Sequence, residues 1–346
     1  ISCPPNAVLL TWGDTDTYST LYMQESEGVR KDVTVASLSL LGVGRYINHL
    51  RNGSPGGGLL QLGARPDFFE RDDYTLFLPD PAKSDTLDWP EWLRQADALQ
   101  RGWKASAEAY YPTAPSNFIR VYPGGDRQAA PFIYSIENFL YADQLVLLDL
   151  LATEGKNRPI CFAITIEQSG FRQWLPWFES RGLVLAWSGR DNGLSKNDDP
   201  VQWEPEQNFN LFAQQFRWLP SNRRKVNLES VAFQLSSAYA IYSLADALLD
   251  ANEHLRAAEL IEIYLASYYP DAENCNIQAF LYGQLAQANQ VERARALCAN
   301  LIVFLQNTPG LPQWKLNRTA QKIRNMAGQY GWEQIGKDAE ALIFDE

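Results

Sequence analysis

The chain has 346 residues, 46% hydrophobic and 12% aromatic, enough to bury sizeable cores and more than one core usually accommodates, so two domains are expected. A formal net charge of −11 opposes a phosphate backbone or an anionic lipid surface as partner, and the one basic cluster, SNRRK at 221–225, reads as a solvated loop, so no nucleic acid is expected. Four cysteines (Cys3, Cys161, Cys275, Cys298) without C-x-x-C spacing, and only two histidines (His49, His254), leave a structural zinc site without ligands.

Taken in chain order, residues 7–12 (AVLLTW) form an apolar run of strand length, as suits a strand buried on both faces. Residues 17–27 follow with Tyr18, Leu21, Tyr22 and Glu25 at helical spacing and stop before Gly28, a residue common just past a helix. DVTVASLSL, beginning at Asp32, is rich in β-branched residues and reads as a second strand. Strand, helix, strand predicts a parallel βαβ unit with a right-handed crossover. GSPGGG at 53–58 is not preceded by a strand and lacks phosphate-loop spacing, so it reads as a turn.

YTLFLP at 74–79 and NFIRVYP at 117–123 read as strands, and NFLYADQLVLLDLLATEG at 138–155 as a buried helix. RPICFAITI at 158–166 is a strand in which Cys161 behaves as a small buried hydrophobe; a short helix near 173–180 and a strand at 183–187 close the region. The expected fold is α/β, Rossmann-like with a mostly parallel sheet, over 1–190, joined by a polar connecting region at 191–226 to an all-α domain over 227–346.

The all-α part is tetratricopeptide-like. The window 238–271 carries Leu244, Ala245, Leu248, Ala257 and Ile261 with Pro270 near its end, and a weaker copy places Ala294 where Ala257 stands. A third helical pair over 318–328 and 333–343 brings the stack near its minimum number of repeats. Cys275 and Cys298 fall on opposite arms of a helical hairpin at unequal distances from its turn, a poor geometry for a disulfide.

In an open parallel sheet, ligands collect beyond the carboxyl ends of the strands. Gly13, Asp14, Asp16 and Thr17 follow the first strand, Ser37 ends the second, and Thr165 and Glu167 end the RPICFAITI strand. These seven are the candidate ligand-binding residues. The D-x-D pair admits three readings: Asp16 caps the helix and the dipole favours both charges, the pair binds a polar ligand without metal, or it holds Mg²⁺ or Mn²⁺ against a leaving diphosphate. No G-x-S-x-G is present and neither histidine has an evident acid–base partner, so no catalytic residue is assigned. Trp174 and Trp177 read as packing before sugar stacking.

The segment PPNAVLLTWGDTDTYSTLYMQESEGVRKDVTVASLSLLGVGRYINHL resembles the start of the soluble C-terminal portion of bacterial multi-pass membrane proteins related to protein O-mannosyltransferases, the GT-C-like class of glycosyltransferases. The residues that carry it are Gly13 to Thr17 after a strand, Leu21 to Gln24, and Glu27 to Val33; NRPICFAITI, LPWFESRGLVLAW and NFNLFAQQFRW resemble later segments. Thr15 stands where that family commonly has Asn and Ser19 where Pro is common, and 52–136 has no counterpart.

No run of about 18 apolar residues is present, and a chain opening at Ile1 without Met or a leader reads as a piece of a longer protein. The resemblance therefore implies an extracytoplasmic domain on the periplasmic side of the cytoplasmic membrane, joined to it only through a preceding region. That region would contain the transferase's catalytic aspartate, which makes this chain non-catalytic and without a cofactor. Its implied role is to bind or orient acceptor polypeptide through the helical repeats, or to gate the transferase, with a glycan or other polar small molecule as a further partner. Two alternatives stand beside it: an autonomous metal-dependent sugar-transferring or hydrolysing enzyme using Asp14 and Asp16 with Mg²⁺ or Mn²⁺, and a secreted repeat scaffold.

Overall fold

In a computed structural model of the protein, residues 2–53, 59–69, 75–106, 111–166, 168–191, 202–216 and 228–343 are described. Glu167, the basic cluster at 221–225 and residues 54–58 of the glycine-rich stretch lie outside them. The chain divides into two compact units, one of residues 2–180 and 184–202, the other of 181–183 and 203–346.

The first unit opens with β1 (Val8–Thr11), α1 (Asp14–Glu25), β2 (Thr34–Ser37) and α2 (Gly44–Arg51), and continues through β3 (Thr75–Phe77), β4 (Thr86–Asp88), α3 (Trp89–Ser106), β5 (Phe118–Val121), β6 (Phe132–Ser135), β7 (Leu140–Tyr141) and α4 (Ala142–Glu154). Then come β8 (Ile160–Ala163), β9 (Phe178–Arg181), β10 (Val184–Trp187) and the short β11 (Gln202–Trp203).

The main sheet has six strands in the order β11-β9-β10-β8-β1-β2, with a two-stranded β3-β7 ribbon and a three-stranded β4-β5-β6 sheet beside it in sequence. β1 pairs in parallel with β2 on one side and β8 on the other, pairing Leu9 with Val35 and with Cys161. All four residues of β1 are buried because both faces of the sheet are covered. Val8, Leu10, Ile160 and Phe162 enter a large aromatic core, while Ala7, Leu9, Cys161 and Ala163 enter a second core of small side chains.

The sheet is mixed: two of its pairings, β1 with β2 and β1 with β8, are parallel. β10 runs antiparallel to β8. The segment read as a helix near 173–180 is a single 3₁₀ turn, Leu175–Trp177, leading into β9. Pro176 limits the helix, and Trp174, Trp177 and Phe178 are drawn into an aromatic cluster with Trp187 and Phe132. The buried helix expected over 138–155 starts at Ala142, because Leu140 and Tyr141 first pair with β3.

Buried carboxylates on α4 fasten the segment between α2 and β3. Asp149 accepts from the Ala64 amide at 2.9 Å and the Trp89 indole at 3.2 Å. Glu154 accepts from the Gln61 amide at 2.6 Å and from Arg158 at 3.0 Å. Arg158 also donates to the Asn6 carbonyl at 3.0 Å, the Leu59 carbonyl at 3.0 Å and Thr34 Oγ1 at 2.6 Å, so one guanidinium joins the chain around β1, β2 and β8 to α4.

The second unit is helical: α5 (Pro205–Asn210), α6 (Leu228–Asp250), α7 (His254–Ser267), α8 (Cys275–Gln287), α9 (Val291–Gln306), α10 (Gln313–Tyr330) and α11 (Glu333–Glu340). The last six pack as hairpins α6–α7, α8–α9 and α10–α11, and α8 packs against both α6 and α10. Leu244, Ala245, Leu248, Ala257, Ile261 and Ala294 are all fully buried, so the sequence stripe is core. The turns use left-handed residues: Asn252 (φ 60°), Asn289 (φ 63°) and Gly331 (φ 71°). Mixed sheets thus fill the N-terminal half and helices the C-terminal half.

Candidate functional site

β1 lies where the chain leaves in two directions. Its own crossover through α1 leads to β2 on one side, and the later β8 pairs on the other. The carboxyl ends of β1 and β8 therefore flank the point at which strand order reverses, the place where an open sheet usually presents ligand groups.

Gly13 carries extended backbone (φ −120°, ψ −175°) into the first turn of α1. With no side chain at that cap, Asp16 supplies it from within the helix. Its Oδ1 accepts from the Gly13 amide at 2.9 Å and from its neighbour Thr17 at 3.0 Å; its Oδ2 accepts from the Trp12 amide at 2.9 Å and from Thr165 Oγ1 at 2.5 Å. Four donors on one carboxylate that is only 4% exposed make Asp16 a structural anchor. Asp14, by contrast, is exposed. Among the described residues no group of three or more His, Cys, Asp and Glu side chains is placed to hold a metal ion.

Thr17 Oγ1 lies 2.6 Å from Thr11 Oγ1, which sends a longer contact of 3.4 Å to the Ala36 carbonyl on β2. Ser37 is buried; its Oγ is 3.0 Å from Ser39 Oγ, and its amide donates to Tyr46 Oη at 2.8 Å. The structure thus joins Gly13, Asp16, Thr17 and Thr165 in one network, sets Asp14 outside it in solvent, and places Ser37 at the end of β2. Thr11 and Tyr46 are the members sequence reading missed. Tyr46 is ten residues past Ala36 on α2, and only the β2–α2 turn brings its hydroxyl back to the strand end. Burial raises its pKa, the bond from Ser37 opposes this, and nearby Tyr18 adds to it.

Helix α1 turns its stripe the opposite way from an ordinary amphipathic helix. Tyr18 and Tyr22 are 59% and 60% exposed, whereas Asp16, Thr17 and Gln24 are buried. Gln24 explains part of this: its amide donates to the Val33 carbonyl at 2.7 Å and the Arg30 carbonyl at 2.9 Å, satisfying the turn that leads into β2. The exposed face of α1 consequently carries the Asp14 carboxylate and the Tyr18 and Tyr22 rings.

A family model described as TMEM260-associated domain 2 matches residues 1–72. That span contains β1, α1, β2 and α2, and with them Gly13, Asp14, Asp16, Thr17 and Ser37, whereas Thr165 lies beyond it. No curated protein and no solved structure matches the chain. The similarity is to a domain found with TMEM260 and covers the N-terminal part alone.

Proposed function

We propose that this chain is the extracytoplasmic, non-catalytic part of a protein O-mannosyltransferase-like membrane glycosyltransferase, and that it binds or orients the acceptor polypeptide. The observation that carries this reading is the match of residues 1–72 to a TMEM260-associated domain, TMEM260 being O-mannosyltransferase-like. In this reading the first unit is Rossmann-like, the helical hairpins are a tetratricopeptide-like stack, and the molecule faces the periplasm. It needs no cofactor. Where Asp16 already accepts four hydrogen bonds, a metal would have to displace them, which favours ligand binding around Asp14 without metal over metal-dependent chemistry.

The helical unit supplies a surface of suitable chemistry. Tyr242 on α6 meets Phe280 on α8 edge to face at 5.8 Å between ring centroids, and the Lys322 ammonium on α10 sits 4.4 Å from the Phe280 ring centroid. All three are half-buried and lie on successive members of the stack, an aromatic row ending in a cation. Extended polypeptide engages such rows through apolar side chains and carbonyls.

The test is surface plasmon resonance with the whole chain immobilised and extended Ser/Thr-bearing peptides as analyte. Saturable binding that Phe280→Ala and Lys322→Ala weaken at least about fivefold is expected, an effect of about 1 kcal/mol. Binding indifferent to both substitutions, or absent for every peptide, removes the acceptor-binding role.

A further inference from the structure

The second, small-residue core of the sheet contains a sulfur on each side of a chain reversal. Cys161 is fully buried on β8, paired in register with Leu9 of β1. Before β1 the chain turns at Asn6, whose backbone is left-handed at φ 58°, so that the preceding residues fold back along this face. Cys3, half-buried, packs against the cluster of Ala7, Leu9, Val33, Cys161, Ala163, Val184 and Ala186.

Cys3 is held there by a built clamp. Arg30 donates to the Cys3 carbonyl at 2.8 Å and the Pro4 carbonyl at 2.8 Å, while pairing with Asp32 at 2.8 Å; Asp32 in turn accepts from the Asn6 amide at 2.8 Å. The clamp brings the Cys3 and Cys161 side chains into hydrogen-bond contact. The bond from Cys161 and the nearby Arg30 charge lower the Cys3 pKa against the opposing effect of burial, which raises the thiolate fraction of the more accessible of the two sulfurs.

We propose that Cys3 and Cys161 are a disulfide-forming pair, closed by thiol–disulfide exchange with a small-molecule or protein disulfide, and that the bridge pins the segment before β1 to β8. The Cys3 thiolate attacks one sulfur of the donor R–S–S–R, forming Cys3–S–S–R and expelling RS⁻. Cys161, giving up its proton, then attacks the Cys3 sulfur, forming the Cys3–Cys161 bond and expelling the second RS⁻. The two protons released by the cysteines convert the two RS⁻ to thiols. The cysteines lose two electrons together and the donor gains them. Cys275 and Cys298 stand apart from this chemistry: both are buried in the helical unit, where burial raises the Cys275 pKa and pushes that of Cys298 up to about 12. The inference is independent of the proposed acceptor-binding role.

The whole chain, equilibrated with mixtures of oxidised and reduced glutathione, quenched with an alkylating agent and digested without reduction, tests it. A cross-linked peptide joining Cys3 to Cys161, with Cys275 and Cys298 still alkylatable after denaturation, is the expected result. The bridged chain should melt about 5 °C or more above its reduced form, because the loop it closes is long. Cys161→Ala should halt the reaction at Cys3 joined to glutathione. Should that variant fail to fold, the peptide map of the unaltered chain decides alone. Persistence of both thiols at oxidised glutathione in large excess, a bridge through Cys275 or Cys298, or a bridged chain that melts no higher than the reduced one overturns the proposal.

Discussion

Thr165 Oγ1 donates to Asp16 Oδ2 over 2.5 Å, so the segment leaving β8 is fastened to the helix that follows β1. The same carboxylate holds the Trp12 and Gly13 amides, which closes the β1–α1 turn and the β1/β8 strand ends in one network. Asp16→Asn replaces one acceptor oxygen by a donor and leaves at least one buried donor unmatched. It is expected to destabilise the first unit by about 1–3 kcal/mol, and Asp14→Asn by no more than about 0.5 kcal/mol, in urea unfolding followed by tryptophan fluorescence. Thr165→Val, combined with Asp16→Asn in a double-mutant cycle, should show a coupling of about 1 kcal/mol. Equal losses at Asp14 and Asp16 would show that the two carboxylates act together.

Arg158 joins four separate stretches of the first unit. Its guanidinium is nearly enclosed, with the side chain 11% exposed and its partner Glu154 4% exposed, and its donors reach Asn6, Leu59, Thr34 and Glu154. Lysine offers one ammonium where these acceptors need a fork. Arg158→Lys is therefore expected to lose about 2–4 kcal/mol, and Arg158→Met at least as much because it leaves Glu154 buried and unpaired. Amide exchange near Gln61 should rise in both variants, since Glu154 holds that amide at 2.6 Å.

How much of this was legible beforehand depended on where the determining contacts lie. The βαβ opening was readable because β1 is a continuous apolar run and β2 is rich in β-branched residues. The helical hairpins were readable because the spacing of Leu244, Leu248, Ala257 and Ile261 is local: Ile261 falls one turn after Ala257 on the same buried face. The orientation of α1 was not, since Tyr18 and Tyr22 form a stripe that looks like a core face, and only the nonlocal bonds of Gln24 and Asp16 turn it outward. Helix α3 (Trp89–Ser106) carries local signals of the same kind as the hairpins, a proline in its first turn and Trp89, Trp92 and Ala96 at helical spacing on its buried face. Of the site, the rule that strand ends gather in an open sheet brings Asp16 and Thr165 into one region across 149 residues of sequence, but it does not show that Thr165 bonds the carboxylate directly.

Asp143, at the second position of α4, gives the first unit a pH dependence. Burial pushes its pKa up to about 6 from an ordinary 3.8, against the opposing bond it accepts from the Gln144 amide. A carboxyl raised in the folded state keeps its proton where the unfolded chain has released it. Stability therefore falls as pH rises from about 4 to about 6, and levels off above. Asp143→Asn removes that loss while keeping an acceptor for Gln144. It should raise stability at neutral pH by about 2–3 kcal/mol, with the gain disappearing below about pH 4. Thermal melts of both proteins across this range check it, and a gain that persists at low pH would trace the effect to packing instead.

Gly283 decides how closely α8 and α10 approach. A Cβ built at this position would lie 3.1 Å from Met326 Sδ and 3.7 Å from Lys322 Cε, tighter than ordinary contact at the sulfur. Helix propensity alone favours alanine over glycine by about 1 kcal/mol. Met326 is unbranched and adaptable, so it absorbs one methyl group at a small loss. Gly283→Ala should accordingly leave the helical unit's stability unchanged to within about 0.5 kcal/mol, the two effects cancelling. Gly283→Val adds two more carbons and loses the propensity gain, and about 2 kcal/mol of destabilisation is expected in thermal unfolding. Met326→Ala opens the space the valine needs, so the double variant should recover part of that loss relative to the sum of the single ones, whereas strict additivity would mean that α8 and α10 do not meet at this pair.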